Sequence, residues 1–233
     1  MLGMDPPVDL VDLPASVPRH IRGRAMPGFS WERSCWERGI DYVAGVDEVG
    51  RGALAGPLVA AAVIFPRSEG QRLRSLRAAL RGLQDSKCLD PSRRAHLAER
   101  IGRLAVVTSV GAVPNWEIDH TGLAAANRLA MERAIWGLGI SPETLLLDAC
   151  TVDHEAPQVG LIRGDAASLS IAAASVVAKV TRDALMADLD VLNPNYGFHA
   201  HKGYGTRGHL SALREHGPGP FHRRSFAPVA AVS

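Results

Sequence analysis

The sequence predicts an α/β fold, because short apolar runs alternate along the chain with segments of helical periodicity. Residues 57–65 are nearly all apolar and include two valines and an isoleucine, which favours a strand buried on both faces. Residues 42–46 have the same character. The clearest helix is an alanine-rich segment, Ser168 to Leu192, which Asn193-Pro194 ends. Strands that alternate with helices are typical of α/β proteins.

The first half of the chain contains three predicted helices. A short helix is expected over residues 30–38. Leucines recur at helical intervals over residues 72–83 and predict a second helix. A third is expected over residues 90–102, because Asp90-Pro91 offers an N-cap followed by proline at the first helical position. The intervening segment, residues 85–87, is predicted to be a loop.

The second half continues the alternation. β-branched residues predict a strand over residues 104–113. Residues 115–138 are predicted to be mostly helical, in two pieces that break near Gly122. The remaining predicted elements are short apolar strands at 144–147 and 159–162 and a last helix at 206–216.

The chain is long enough for one large folded domain or two small ones. The chain has 233 residues, of which 46% are hydrophobic and 21% charged, and these values are ordinary for a globular protein. Residues 1–28 are rich in proline and lack a sustained period. We therefore assign residues 1–28 to a flexible N-terminal extension and residues 29–233 to the folded domain.

The same sequence predicts a cytoplasmic protein. Cys35, Cys88 and Cys150 are odd in number and scattered, so they imply no disulfide framework and favour a reducing compartment. The N-terminus lacks the basic and apolar segments of a signal peptide. The most apolar stretch, residues 53–65, is shorter than the ~20 residues that a membrane span needs. We expect no association with a membrane.

Positive charge is concentrated near the C-terminus. The formal net charge of +2 says little about partners, but residues 199–224 hold five lysines and arginines against one acid, with five of the nine histidines. Such a patch can bind a phosphate backbone. It can equally be a solvated basic tail, and composition leaves both interpretations open.

Three predicted strands are each followed by acidic residues: Asp47-Glu48, Asp148 and Asp165. One such acid alone is more often a turn residue or a helix cap, but three in one arrangement favour a shared site. If the strands are neighbours, the four carboxylates converge and raise one another's pKa unless cations neutralise them. Oxygen ligands favour Mg²⁺ or Mn²⁺ over Zn²⁺, and two such ions about 4 Å apart suit phosphodiester hydrolysis.

The adjacent acids Asp47 and Glu48 raise a geometric question. Side chains alternate across a strand, so the two cannot point the same way from a regular strand. We expect one of them to face the sheet surface and the other to reach round the strand end.

Other ligand sites are disfavoured. Cys150, Asp153 and His154 lack the partners that a zinc site needs. The glycines near residue 50 do not have the G-x-G-x-x-G spacing of a dinucleotide-binding loop, and no P-loop is present.

The motif Asp47-Glu48-Val49-Gly50-Arg51-Gly52 closely resembles that of ribonuclease HII, the bacterial type 2 ribonuclease H. The resemblance continues in order from about residue 42 to 228. It includes Asp85-Ser86-Lys87, Glu117-Ile118-Asp119, Ser170 to Asp183, His201 to Thr206 and His222 to Phe226. One departure follows Asp148, where Ala149-Cys150 stands in place of the family's usual glycine and asparagine.

The resemblance implies a ribonuclease H-like fold, with a mixed five-stranded sheet flanked by helices and a helical C-terminal portion. It implies that four carboxylates bind two Mg²⁺ or Mn²⁺ ions when substrate is bound: Asp47, Glu48, Asp148 and Asp165. The turn of Gly50, Arg51 and Gly52 would sense the ribose 2′-hydroxyl, since glycines let the backbone approach a sugar closely. Tyr204 would pack on the sugar of the next, deoxy, nucleotide.

We therefore expect a monomeric, metal-dependent endonuclease of ribonucleotide excision repair. It would hydrolyse the RNA strand of RNA–DNA hybrids and cut 5′ of ribonucleotides embedded in duplex DNA, leaving 3′-hydroxyl and 5′-phosphate ends. One alternative is a catalytically inactive module that binds hybrids or junctions, which the complete acid set disfavours. Another is a DNA nuclease of the same fold, which the Gly-Arg-Gly turn and Tyr204 disfavour.

Overall fold

The structure is a computed structural model that describes residues 27–83 and 90–232. The predictions for residues 1–26, for residues 85–87 and for Cys88 lie outside these ranges. The strands are β1 Val43–Val49, β2 Leu58–Ile64, β3 Val107–Val113, β4 Thr144–Asp148 and β5 Gln158–Leu161. The helices are α1 Ser30–Trp36, α2 Gly70–Ala79, α3 Pro91–Leu104, α4 Asn115–Thr121, α5 Leu123–Trp136, α6 Leu169–Leu192, α7 Phe198–His201, α8 Arg207–His216 and α9 Ala227–Ala230.

The strands form one mixed five-stranded sheet in the order β3-β2-β1-β4-β5, which confirms the predicted fold class. β2 pairs antiparallel with both β1 and β3. β4 pairs parallel with both β1 and β5. Because β1, β4 and β5 run in the same direction, the residues that follow them lie along one edge of the sheet.

Helices cover both faces of the sheet, and each face has its own core. Residues of α1, α2, α3 and α6 pack on one face, and residues of α4 and α5 pack on the other. All seven residues of β2 are buried, as its continuous apolar run predicts. In the described part of the chain, no helix is both long and apolar enough to cross a membrane.

The helix boundaries follow the local chemistry of the sequence. The Asp90 side chain accepts a hydrogen bond from the Arg93 backbone N–H and caps α3. Ser168 caps α6 in the same way, through the Ile171 N–H. Gly122, at a φ of 82°, separates α4 from α5 and confirms the predicted break.

Three details differ from the sequence prediction. β1 continues to Val49, so that Asp47 and Glu48 lie within the strand and not after it. The short helices α7 and α9 were not predicted, because four residues are too few for a helical period to appear. Gly28 belongs to the fold, since it forms a bridge with Ser168, although the predicted extension includes it.

The C-terminal portion is built around one extended segment, residues 53–56. Ala53 of this segment bridges Tyr204, and Ala55 bridges His222. Leu54 packs in a small core with Leu213 of α8. The segment that follows β1 therefore anchors the C-terminal portion to the sheet.

The packing of α6 on β1 requires glycine at position 45. A Cβ atom placed on Gly45 would lie 2.2 Å from the Ser170 carbonyl carbon and 2.4 Å from the Ile171 nitrogen. Both are backbone atoms of α6, so a side chain rotation cannot relieve the contact. Gly45 therefore fixes how closely the helix approaches the strand.

We expect Gly45→Ala to destabilise the protein by at least about 2 kcal/mol, because the added methyl group must push α6 away from β1. The matched control is Gly102→Ala in α3, where an added Cβ would contact nothing within 4 Å. That variant should gain about 0.5–1 kcal/mol from helix propensity. Urea unfolding of both variants measures the effects, and equal stabilities would contradict the role of Gly45.

Candidate active site

The structure brings the four predicted site acids around one cavity of about 370 Å³. The cavity lies at the sheet edge where β1 and β4 end, against α6. Its lining residues are Asp47, Glu48, Val49, Arg94, Asp148, Asp165, Ser175, Val176 and Lys179. The four acids therefore lie together, as the sequence predicts. Metal binding by them stays a prediction.

Strand register explains why Asp47 and Asp148 meet. Val46 pairs with Leu147 in the parallel β1–β4 ladder, so the next residues, Asp47 and Asp148, stand level on adjacent strands. Level residues of neighbouring strands share a face of the sheet. Both carboxylates therefore lie on the face that α6 covers.

Asp47 is buried and held by two hydrogen bonds. Its Oδ1 accepts from the Glu48 backbone N–H at 2.8 Å, and the Ser175 hydroxyl of α6 also bonds the carboxylate. The pKa of Asp47 is raised to about 8, chiefly by burial and also by the negative charges of Glu48 and Asp148, while the Ser175 bond opposes the shift. The fold therefore favours a proton on Asp47 when no cation is near.

Glu48 reaches the same cavity although its place in β1 has the opposite parity. Its Oε1 lies 3.4 Å from Arg51 Nη1. Its Oε2 is buried and accepts no hydrogen bond from any residue that the structure describes. Burial raises the pKa of Glu48, Arg51 lowers it and Asp148 raises it.

Asp148 is the last residue of β4, and Asp165 lies in the turn that follows β5. Asp148 Oδ1 accepts the Gly164 N–H at 2.6 Å, which ties it to the 3₁₀ turn Gly164–Ala166 that carries Asp165. Ala149 has a φ of 52°, a left-handed conformation that costs a non-glycine residue roughly 1–2 kcal/mol. The resemblance places a glycine here, so this chain keeps the same backbone turn with a less suitable residue.

Two cations, Lys179 and Arg94, line the same cavity as the acids. Lys179 Nζ lies 2.6 Å from Asp183 Oδ1, and Arg94 Nη1 lies 3.6 Å from Asp183 Oδ2. Asp183 thus holds Lys179 and Arg94 together where both border the cavity. A cavity lined by both acids and cations can accommodate a cation and a phosphate group.

The donor set suits a hard divalent cation. The cavity offers carboxylate oxygens, one of which, Glu48 Oε2, is buried without a hydrogen bond. Mg²⁺ commonly binds one or two carboxylates together with substrate phosphates and water. In residues 27–83 and 90–232, no group of three or more His, Cys, Asp or Glu side chains is positioned to hold a metal ion by itself.

The turn of Gly50, Arg51 and Gly52 adjoins this cavity and faces the C-terminal portion. Arg51 and Gly52 are exposed. Beyond the turn, the Leu54 N–H donates to the Gly203 carbonyl at 2.7 Å, and Ala53 bridges Tyr204. The residues just after the predicted sugar-sensing turn are therefore hydrogen-bonded to the segment that carries Tyr204.

Two buried arginines that sequence reasoning left without a role support this pairing. Arg182 donates to the carbonyls of Ala55, Pro57 and Lys202. Arg223 donates to the carbonyls of Arg51 and Gly56. A signal was available for Arg182, because it falls on the buried stripe of α6 defined by Ile171, Ala174, Ala178 and Met186.

Three histidines of the C-terminal portion, His201, His209 and His222, are hydrogen-bonded within the fold. The His201 Nε2–H donates to the Tyr196 carbonyl, and the His209 Nδ1–H donates to the Tyr204 carbonyl. His222 Nδ1 accepts from the Gly219 N–H, so its Nε2–H donates to His209 Nε2 at 3.0 Å. Burial lowers the pKa of His209, and lowers that of His222 to about 4.

These contacts reduce the basic patch predicted over residues 199–224. Arg223, His209 and His222 are buried and unable to face a ligand. The exposed cations of the segment include Arg207, Arg214 and Arg224. The remaining patch is smaller than composition indicates.

The chain matches a known family over most of its length. The family model described as ribonuclease HII matches residues 44–229. The ribonuclease HII of Desulfitobacterium hafniense (strain DSM 10664 / DCB-2) is 50% identical over 199 residues, which cover 85% of this chain and 73% of that protein.

Solved structures show the same similarity. The crystal structure of the ribonuclease H2 from Pyrococcus horikoshii OT3 aligns with a TM-score of 0.68 at 26% identity, covering 82% of this chain and 96% of that one. The structure of the PCNA:RNase HII complex from Archaeoglobus fulgidus aligns with a TM-score of 0.63 at 28% identity, covering 78% of this chain and 92% of that one.

The raised pKa of Asp47 predicts a pH-dependent gain in stability for Asp47→Asn. Because the pKa is about 8 in the folded protein against an ordinary 3.8, folding favours the protonated carboxyl. That contribution is full below about pH 4 and is lost by up to about 1.4 kcal/mol per pH unit as the pH rises toward 8. Asparagine does not ionise, so the stability of the variant relative to the parent protein should increase as the pH rises over this range.

Thermal unfolding in a chelator, from about pH 5 to about pH 9, measures this difference. We expect it to be small at the acidic end and largest above about pH 8. A difference that does not change with pH would show that Asp47 is ionised throughout.

Proposed function

The chain belongs to the ribonuclease HII family and is therefore a ribonuclease H, and on this premise we propose that it cuts 5′ of ribonucleotides embedded in duplex DNA as well as within RNA–DNA hybrids. The products would carry 3′-hydroxyl and 5′-phosphate ends. We propose that it acts as a monomer in the cytoplasm, in the excision repair of ribonucleotides.

The main support for this proposal is the position of the Gly-Arg-Gly turn beside the cavity. Four carboxylates and two cations border a single cavity, and the Gly-Arg-Gly turn follows directly from the strand that supplies Asp47 and Glu48. A substrate whose phosphate enters the cavity must therefore bring a neighbouring sugar to the turn. This arrangement suits an enzyme that tests for a 2′-hydroxyl next to the bond it cuts.

We assign each group of residues a separate task. Asp47, Glu48, Asp148 and Asp165 would hold two Mg²⁺ or Mn²⁺ ions, which supply the charge that activates water and stabilises the leaving oxygen. Gly50, Arg51 and Gly52 would contact the ribose 2′-hydroxyl. Tyr204 would pack on the sugar of the following deoxynucleotide.

The protein's own cations would position the substrate. Lys179 and Arg94, which Asp183 holds at the cavity wall, would attract the phosphates near the cut. Arg207, Arg214 and Arg224 are exposed on the C-terminal portion and would contact the backbone farther away. Binding that depends on such contacts weakens as salt concentration rises.

A cleavage assay tests the proposal directly. With Mg²⁺ or Mn²⁺, the protein should cut a DNA duplex at a single embedded ribonucleotide and leave the all-DNA duplex intact. Asp148→Asn should lower the cleavage rate at least about 100-fold, because it removes a ligand charge at the metal site, while substrate binding is largely kept.

The matched control is Asp153→Asn. It makes the same chemical change five residues away, at an exposed aspartate that does not line the cavity, and it should cleave as the parent protein does. Failure of the parent protein to cut at the single ribonucleotide, or cleavage of the all-DNA duplex at the same rate, would refute the proposed specificity.

Metal binding has a readout that does not depend on activity. At about pH 8, Mg²⁺ or Mn²⁺ at 100 times its dissociation constant should stabilise the parent protein by about 2.7 kcal/mol. Asp47→Asn and Asp148→Asn should respond less, and Asp153→Asn should respond fully. Thermal unfolding with and without the ion measures this, and an equal response from all four proteins would place the ion elsewhere.

A further inference from the structure

Arg182 is a buried cation whose place in the fold calls for a functional explanation. It lies in α6 and is fully shielded from solvent. Its hydrogen-bond partners are backbone carbonyl oxygens of two chain segments that are distant in sequence. Burying a charge costs free energy, so a residue of this kind at a core position indicates a task that an apolar side chain cannot perform.

On one side, Arg182 holds the segment that follows the Gly-Arg-Gly turn. Its Nε donates to the Pro57 carbonyl at 2.8 Å, and its Nη2 donates to the Ala55 carbonyl at 3.1 Å. The side chain also passes directly beneath the turn, because a Cβ atom on Gly50 would lie 2.2 Å from Arg182 Nε. Gly50 is thus packed against the guanidinium.

On the other side, Arg182 holds the segment that carries Tyr204. Its Nη1 donates to the Lys202 carbonyl at 2.9 Å. Its guanidinium carbon lies over the Tyr204 ring, 5.5 Å from the ring centroid, which is within the range of a cation–π contact. One side chain therefore touches both elements that we assign to sugar recognition.

The chemistry of arginine makes this contact a rigid one. The guanidinium is planar and presents its donors in a fixed fork. Three carbonyls from two segments, bonded to one such plane, cannot shift independently. Lysine has a single ammonium on a flexible stem and would not fix the two segments at one separation.

We propose that Arg182 is a positioning residue that sets the spacing between the Gly50-Arg51-Gly52 turn and Tyr204, and with it the preference for a ribonucleotide followed by a deoxynucleotide. The inference rests on the proposed function. The turn tests one sugar and Tyr204 tests the next, so their separation must match one nucleotide step. A continuous RNA–DNA hybrid presents a ribose at both positions and depends less on this match.

The test compares cleavage of two substrates: a DNA duplex with one embedded ribonucleotide and a uniform RNA–DNA hybrid. Arg182→Lys should lower kcat/KM on the first at least tenfold more than on the second. A purely structural role would lower both by the same factor. The control is Arg133→Lys in α5, which alters bonds to the Ala112 carbonyl and the Glu117 carboxylate on the opposite face of the sheet, and which should leave the ratio of the two activities unchanged.

A second variant covers the case in which Arg182→Lys does not fold. Gly203→Ala leaves Arg182 in place, but its new Cβ would lie 2.4 Å from the Ala55 carbonyl oxygen and should force the same two segments apart. In this variant too, kcat/KM on the single-ribonucleotide duplex should fall more than kcat/KM on the hybrid. Circular dichroism and thermal unfolding confirm that each variant compared is folded.

The outcomes separate the two proposals. If the parent protein does not cut at a single ribonucleotide, the proposed function is wrong. If the parent protein cuts there and the substrate ratio is unchanged in the folded Arg182→Lys or Gly203→Ala variant, the role of Arg182 is wrong.

Discussion

The close approach of α6 to β1 at Gly45 is the constraint on which the site depends. With no side chain at Gly45, the backbone of α6 near Ser170 rests against the strand. One helical turn farther on, Ser175 then reaches the carboxylate of Asp47. Two turns beyond that, Arg182 reaches the Gly-Arg-Gly turn and Tyr204. A single contact between strand and helix therefore sets the position of the acids relative to the turn beside them.

Charged groups of both signs are buried near α6, and burial disfavours their ionised forms. Burial and mutual repulsion favour protonation of Asp47, and burial together with the charge of Arg182 lowers the pKa of Arg223 to about 9. Backbone carbonyls accept hydrogen bonds from five of the six guanidinium nitrogens, and Arg223 Nη2 is buried without a partner in the described residues. The two buried arginines are thus held by backbone, while the four acids border the cavity.

The sequence predicts more of the fold than of the site. Continuous apolar residues predict β2, and the Asp90 and Ser168 caps predict where two long helices begin, because these signals act within a few residues. The convergence of Asp47 and Asp148 was predictable only on the assumption that their strands are neighbours. The extension of β1 through Glu48 to Val49 was not, since it depends on the pairing of these residues with Ala60 and Val59 of β2. The burial of Arg223 could not be predicted from the sequence either, because its carbonyl partners lie over 160 residues away.

Long-range contacts also explain how the acids proposed for cleavage and the residues proposed for sugar recognition lie side by side although they are different residues. The acids depend on the register of β1 with β4, which is a property of the sheet. The Tyr204 segment depends on residues 53–56, to which it is hydrogen-bonded, and on His209, which bonds the Tyr204 carbonyl. The helix α6 contacts both systems, through Ser175 and Arg182. A change in the tilt of this helix would move the two sites together, whereas a change at Arg182 would alter their separation and leave the acids in place.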